Sequence, residues 1–204
     1  MWNFVLDLLK VLIPAGIAIF AALTGWRWQI VGKRRFELAE RLLLQFNHAA
    51  DIIQNTRLSE SHSNEGTTRD RAEGEPDNLT RLKDSYWVPI DRINKKIEVF
   101  AEARENELIA RYFFGPEAEK CFQTIKESVD KVVIASRMLI TTVRREGEPP
   151  PPQDLIERQY QWMRDIWGTY DANDLIHMEI NNARAKLETI LTPELKKSAK
   201  WWPF

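Results

Sequence analysis

Few residues of this chain combine the side chains and the spacing that metal binding requires. Two of its three histidines fall on predicted helices near a carboxylate, with His48 three positions before Asp51 and His177 two positions before Glu179. Neither forms the His-x-x-x-His or Glu-x-x-His pattern that places two ligands on one helix face. One hypothesis is a metal enzyme that uses His48 and His177 across a helical bundle. The simpler interpretation is two surface or hydrogen-bonded histidines without a metal.

Nucleophilic and phosphate chemistry have even less support in the sequence. The single cysteine, Cys121, lies early in a predicted helix, where a thiolate gains some stabilisation, but no catalytic partner is evident. The chain has no Gly-rich phosphate loop and no Gly-x-Ser-x-Gly elbow. Paired acids such as Glu102 and Glu105 lie among basic neighbours, which is typical of a solvated helix face. We therefore predict no cofactor and favour a protein that is not an enzyme.

The composition favours a helical protein without affinity for nucleic acid. The 204 residues include 29 Lys and Arg and 30 Asp and Glu, for a formal net charge of −1, so no overall positive field attracts a polyanion. Glycine is scarce, with 8 residues, which favours helix over sheet. A lone cysteine excludes an intramolecular disulfide.

The first 28 residues predict a transmembrane anchor. No residue from Val11 to Trp26 is charged, and this run of 16 residues measures about 24 Å as a helix. Extension back to Phe4 gives about 35 Å, enough for a hydrocarbon core of about 30 Å, but includes Asp7 and Lys10. Lys10 can reach the membrane interface with its long side chain. We therefore predict a single-pass membrane protein.

The flanks of this helix predict its orientation and its contacts. Because basic residues crowd its C-terminal side, the N-terminus is expected outside and residues 29–204 in the cytoplasm, at a bacterial inner membrane. The closing KKSAKWWPF predicts a second contact with the lipid bilayer. The residues expected at the membrane interface are Trp2, Trp26, Arg27, Trp28, Lys33, Arg34, Arg35, Lys196, Lys197, Lys200, Trp201 and Trp202.

A stripe of small residues in the anchor predicts self-association. Its members lie at spacings of 3, 4 and 3, which lets two helices approach closely. The same heptad continues through Gly32 into the next helix, as in a coiled coil. The residues of this stripe are Ala15, Ala18, Ala22 and Gly25.

The remaining periodicity predicts an all-α fold, in which the transmembrane helix continues into an up-and-down four-helix bundle. Apolar residues recur at spacings of 3 and 4, and no strand-like alternation persists. A break is expected at Pro89 and a turn at Gly115–Pro116. In chain order, the predicted segments are an anchor at 1–28, a first bundle helix at 29–58, an acidic disordered loop at 59–78, second and third helices at 79–147, a Pro-rich connector at 148–152, a fourth, broken helical region at 153–192 and a basic aromatic tail at 193–204.

This general plan resembles that of single-span bacterial inner-membrane proteins with a helical cytosolic domain. The segments Tyr112–Glu117 (YFFGPE) and Leu187–Pro193 (LETILTP) contribute to the resemblance, which implies no catalytic residue. We predict a membrane-anchored helical interaction or scaffold module that binds a protein partner or a second copy of itself. The alternatives are a membrane-associated signalling or defence effector, and the metal enzyme on His48 and His177, tethered to the membrane.

Overall fold

A computed structural model describes residues 2–62, 64–144, 147–168 and 174–199 of the chain. Up to residue 29, side chains are described only at Pro14, Phe20, Gly25 and Trp26, and those of residues 197–199 are not described. The described residues form six helices and no strand, so the predicted all-α class is confirmed. The helices are α1 (Trp2–Thr56), α2 (Asp77–Asn94), α3 (Ile97–Phe114), α4 (Pro116–Thr142), α5 (Gln153–Ile166) and α6 (Leu175–Ala199).

The predicted transmembrane helix is wrong. Among the described residues, no helix is long and apolar enough to cross a membrane. The physical reason is length, because the uncharged run from Val11 to Trp26 falls short of a hydrocarbon core of about 30 Å. Extending the run in either direction adds Asp7 and Lys10 or Arg27. The predicted single-pass topology, inner-membrane localisation and cytoplasmic placement rested on this helix and are corrected with it.

The chain divides into two compact units. One consists of Met1–Arg41 with Leu191–Phe204, and the other of Leu42–Ile190, so the division falls inside α1 and inside α6. In the first unit, Arg35 of α1 forms an ion pair with Glu194 of α6 at 3.4 Å. The second unit contains α2 to α5 complete.

The core of the second unit forms around α4. Most of the buried residues of this helix recur three or four positions apart, because that spacing keeps them on one face. The helix contacts α2, α3 and α5. Phe122 of α4 meets Phe46 of α1 edge to face, with ring centroids 5.7 Å apart. Gln45 of α1 forms hydrogen bonds with Glu102 and the buried Asn106 of α3. Helix α4 is therefore the element on which the neighbouring helices pack.

The break between α2 and α3 falls at Lys95–Lys96 and not at Pro89. Pro89 lies inside α2 and is buried together with Val88 and Ile90. Proline removes one helical hydrogen bond, and the packing of its buried neighbours offsets that loss. Lys96 leaves the helical region, with φ −121° and ψ 20°, and α3 restarts directly after it.

Candidate interaction surfaces

An open groove with a volume of about 520 Å³ runs between α3 and α4 in the second unit. Its apolar lining is built from both helices because each turns part of its hydrophobic stripe toward the other. Ile97 and Leu108 lie along α3 in this lining and are 56% and 67% exposed. The other apolar lining residues are Phe100, Ala101, Ala103, Phe122, Ile125 and Val129.

Five charged residues line the same groove, and residues of both signs lack a partner among the described residues. Arg104 of α3 and Lys126 of α4 are exposed, and neither forms an ion pair or a hydrogen bond with any described residue. The acidic lining residues are Glu105, Glu107 and Asp130. One of them, Glu107, accepts a hydrogen bond of 3.1 Å from Gln123.

A network of mostly buried ion pairs joins the segment 57–76 to α2. Arg92 of α2 donates to Glu65 at 2.6 Å and to the carbonyl of Leu58 at 2.8 Å. Arg69 of the segment donates to Asp84 of α2 at 3.1 Å and also pairs with Glu75. The hydrogen bond from Arg92 lowers the pKa of Glu65 to about 2. The pKa of Glu75 is lowered to about 2, mainly by the hydrogen bond from Arg69 and secondly by the one from Lys83.

Gly66 of this segment makes a close backbone contact with α2. Its N–H donates to the buried carboxylate of Asp91 at 2.7 Å. Thr68 Oγ1 also donates to Asp91, and accepts a hydrogen bond of 3.1 Å from Trp87 Nε1. A Cβ on Gly66 would lie 2.0 Å from the backbone oxygen of Asp84, and the residue has φ +79°. Only glycine fits this position without a shift of the segment.

A buried ion pair joins three helices at one end of the second unit. Arg57 and Asp174 are both at most 6% exposed, and Arg57 Nη1 donates to Asp174 Oδ1 at 2.9 Å. Arg57 also donates to the carbonyls of Arg164 and Asp165 in the last turn of α5, at 2.9 and 2.8 Å. Asp174 Oδ1 accepts from the N–H of His177 at 3.1 Å, as an N-cap residue does at the start of a helix. The cluster has a structural role, because every polar group in it is engaged within the chain.

The structure does not gather a metal site around the histidines. His177 Nδ1 lies 3.1 Å from the amide nitrogen of Gln54, and its Nε2 lies 2.8 Å from that of Asn181. His48 is exposed. Within the described ranges, no three His, Cys, Asp or Glu residues come close enough together to hold a metal ion. Burial raises the pKa of the Cys121 thiol, which disfavours the reactive thiolate.

The residues predicted at a membrane interface are only partly described. Trp26, Lys33, Arg34 and Lys196 are exposed, and Arg35 has the ion pair given above. The others lie outside the described side chains or residues: Trp2, Arg27, Trp28, Lys197, Lys200, Trp201 and Trp202. The interface role of residues 2–35 followed from the transmembrane helix, whereas that of the tail residues stays a prediction. In the small-residue stripe Gly25 is exposed, and the side chains of Ala15, Ala18 and Ala22 lie outside the description, so self-association stays a prediction.

The contact of segment 57–76 with α2 and the groove between α3 and α4 leave little signal in the sequence, for different reasons. The pairing of segment 57–76 with α2 depends on charges far apart in sequence, which leave no periodic signal. A glycine at 66 within an acidic run was the one available hint of a close backbone contact. The groove could have been anticipated from Ile97 and Leu108, since both lie on the apolar stripe of α3 near its ends.

The fold and its surfaces therefore define an all-α protein with an exposed groove between α3 and α4. Comparison with protein-family models, with curated proteins and with solved structures finds no match for this chain. Its function has to be argued from the surfaces themselves.

Proposed function

We propose that this chain is a helical interaction module that binds a partner protein in the groove between α3 and α4. The observation that carries the proposal is the exposure of Ile97 and Leu108 on an apolar groove. Contiguous apolar surface of this kind marks interaction sites on folded proteins. From residue 97 to residue 108 the groove follows α3 for about 16 Å, or three helical turns, which suits a helix laid into it.

The proposed scaffold for this groove is an up-and-down four-helix bundle formed by the second unit. In it, the second half of α1 and helix α4 are single members, while α2 with α3 and α5 with α6 each make one further member. Contacts of α4 with α2, α3 and α5 support this arrangement. Additional support comes from Asp51 of α1, which pairs with Arg184 of α6 at 3.4 Å, and from Lys131 of α4, which pairs with Glu179 at 2.6 Å.

Site-specific photocrosslinking in cells tests the groove. A photoreactive amino acid at Leu108 is expected to give a crosslinked partner, and the Ile97→Asp substitution at the other end of the groove is expected to remove most of that product. The matched control places the photoreactive residue at Tyr160 of α5, which at 60% is about as exposed as Leu108 but lies outside the groove. Equal products from both positions, or a product insensitive to Ile97→Asp, would refute the proposed site.

Self-association through α1 is a second candidate function, and an exposed apolar face of this helix supports it. In the part of this helix that belongs to the first unit, four large apolar residues are between 49% and 71% exposed. At about 100° per residue they lie within an arc of about 140°, so one helix face presents all of them. These residues are Phe20, Trp26, Ile30 and Val31.

A further inference from the structure

The register of α3 against α4 follows from two contacts. Arg111 and Glu119, four residues on either side of Gly115, form an ion pair at 3.2 Å. Glu107 and Gln123, eight residues on either side of Gly115, form a hydrogen bond at 3.1 Å. In this antiparallel pair, residues equally far from Gly115 therefore lie at the same level along the groove.

This register places the two free basic residues of the groove at one level. Arg104 and Lys126 each lie eleven residues from Gly115. Neither is paired with a described residue, in contrast to the basic residues Arg111, Lys120 and Lys131 of the same helices. Two cations at the same level repel each other weakly in the free chain, and an anionic group between them would relieve that repulsion.

Apolar residues flank this basic level on both sides. Leu108 and Phe122 lie level with each other on the Gly115 side, four residues from Arg104 and Lys126. Ala101 and Val129 lie level on the other side, three residues away. A partner helix laid along the groove would need two apolar side chains, one for each apolar level, and a carboxylate between them for the basic level. Side chains seven positions apart satisfy this order, because one turn takes 3.6 residues and seven residues therefore return to the same face.

We infer that the groove binds an amphipathic helix of a partner protein that carries a carboxylate midway along its apolar face, with Arg104 and Lys126 as the specificity-determining residues. This inference rests on the proposed function of the groove. It deepens that function because it assigns the chemistry of the partner.

The charges of the groove select this occupant over two others. A second copy that docked its own groove would bring the same basic level against Arg104 and Lys126, and like charges oppose such a contact. A nucleic acid or another polyanion would meet Glu105, Glu107 and Asp130 on the same lining. A single carboxylate on an otherwise apolar face satisfies the basic level and leaves Glu105 and Asp130 free for basic residues elsewhere on the partner helix.

Synthetic peptides test the inference on the full-length chain. Three fluorescent alanine-based helices of eighteen residues carry two leucines seven positions apart, with Glu, Gln or Lys midway between them. Fluorescence anisotropy is expected to show the Glu peptide binding about tenfold more tightly than the Lys peptide, with the Gln peptide between them. The preference is expected to shrink at high salt, since the charges are exposed.

Charge reversal provides the decisive comparison. The Arg104→Glu variant is expected to prefer the Lys peptide over the Glu peptide. The control variant is Arg137→Glu, which reverses an exposed charge of α4 outside the groove and is expected to keep the original preference. Retention of the original preference in Arg104→Glu would overturn the inference, as would equal binding of the three peptides.

The outcomes also separate this inference from the proposed function. If no peptide binds while the photocrosslinker at Leu108 still captures a partner that Ile97→Asp releases, the assigned partner chemistry is wrong and the interaction site stands. If the captured partner is a second copy of the chain, the partner assignment is again wrong. If neither peptides nor crosslinks report the groove, the proposed function fails together with the inference.

Discussion

At the scale of single residues, Gly66 is required by a close backbone contact. In Gly66→Ala the new Cβ would meet the backbone oxygen of Asp84 at 2.0 Å, so the segment would have to shift and weaken its hydrogen bond to the buried Asp91. We expect a loss of about 1–3 kcal/mol in the free energy of unfolding, measured by urea denaturation.

Gly74→Ala is the matched control for Gly66. Gly74 has a similar φ of +72°, but a Cβ there would meet no atom within 4 Å. Gly74→Ala therefore carries the cost of the backbone conformation alone, about 1 kcal/mol. Equal losses from the two substitutions would show that the contact with Asp84 adds nothing.

Arg57 is the second residue whose removal should be costly. Arg57→Met would leave Asp174 as a buried carboxylate without its cation, and would also leave two carbonyls of α5 without their donor. We expect a loss of about 3–5 kcal/mol in the free energy of unfolding. The control is Arg184→Met, which breaks the ion pair with Asp51, a residue that is 64% exposed. Loss of this exposed pair should lower the free energy of unfolding by less than about 1 kcal/mol. A comparable loss in both variants would contradict the buried role of Arg57.

At the scale of elements, the contact of segment 57–76 with α2 should weaken in acid. The pKa of Glu65 and of Glu75 is lowered to about 2 by their basic partners. A lowered pKa in the folded state means that the stabilisation is complete above the ordinary value of 4.5 and is lost as the pH falls from about 4.5 toward 2. The indole N–H resonance of Trp87, which donates to Thr68, should report this change in an NMR titration.

A Glu65→Gln variant serves as the control for the titration. Its Trp87 resonance should already be shifted at neutral pH, because the pair with Arg92 is missing, and the part of the titration that comes from Glu65 should be lost. A wild-type resonance that stays constant between pH 4.5 and pH 2 would rule out this coupling.

Sequence periodicity predicts elements better than it predicts the contacts between them. Helix α4 was predicted from its apolar stripe, because burial on one helix face requires that spacing. The break at Lys95–Lys96 was missed, since Pro89 is the stronger local signal and only tertiary packing overrides it. The ion pair of Arg57 with Asp174 joins residues more than a hundred positions apart, and no local pattern encodes such a pair.

At the scale of the whole molecule, the failed prediction concerned how the apolar N-terminal run is used. An uncharged run of 16 residues lies between the length typical of a buried helix and the length that spans a bilayer. Composition could not decide between these cases, because both place apolar residues on a long helix. Of this region, the structure describes a continuous helix and a few exposed apolar side chains.

Those exposed side chains lead to a prediction about the assembly of the molecule. If Trp26, Ile30 and Val31 pack against a second copy, the chain should sediment as a dimer whose population rises with concentration, because association removes apolar surface from water. Ile30→Asp should shift the population to the monomer by about tenfold or more in dissociation constant, since it places a charge in an apolar contact. Leu175→Asp is the matched control, because Leu175 is 57% exposed on α6 and lies outside this face. Sedimentation of the wild-type chain as a monomer at tens of micromolar would exclude α1 as a self-association surface and would leave the groove as the remaining candidate.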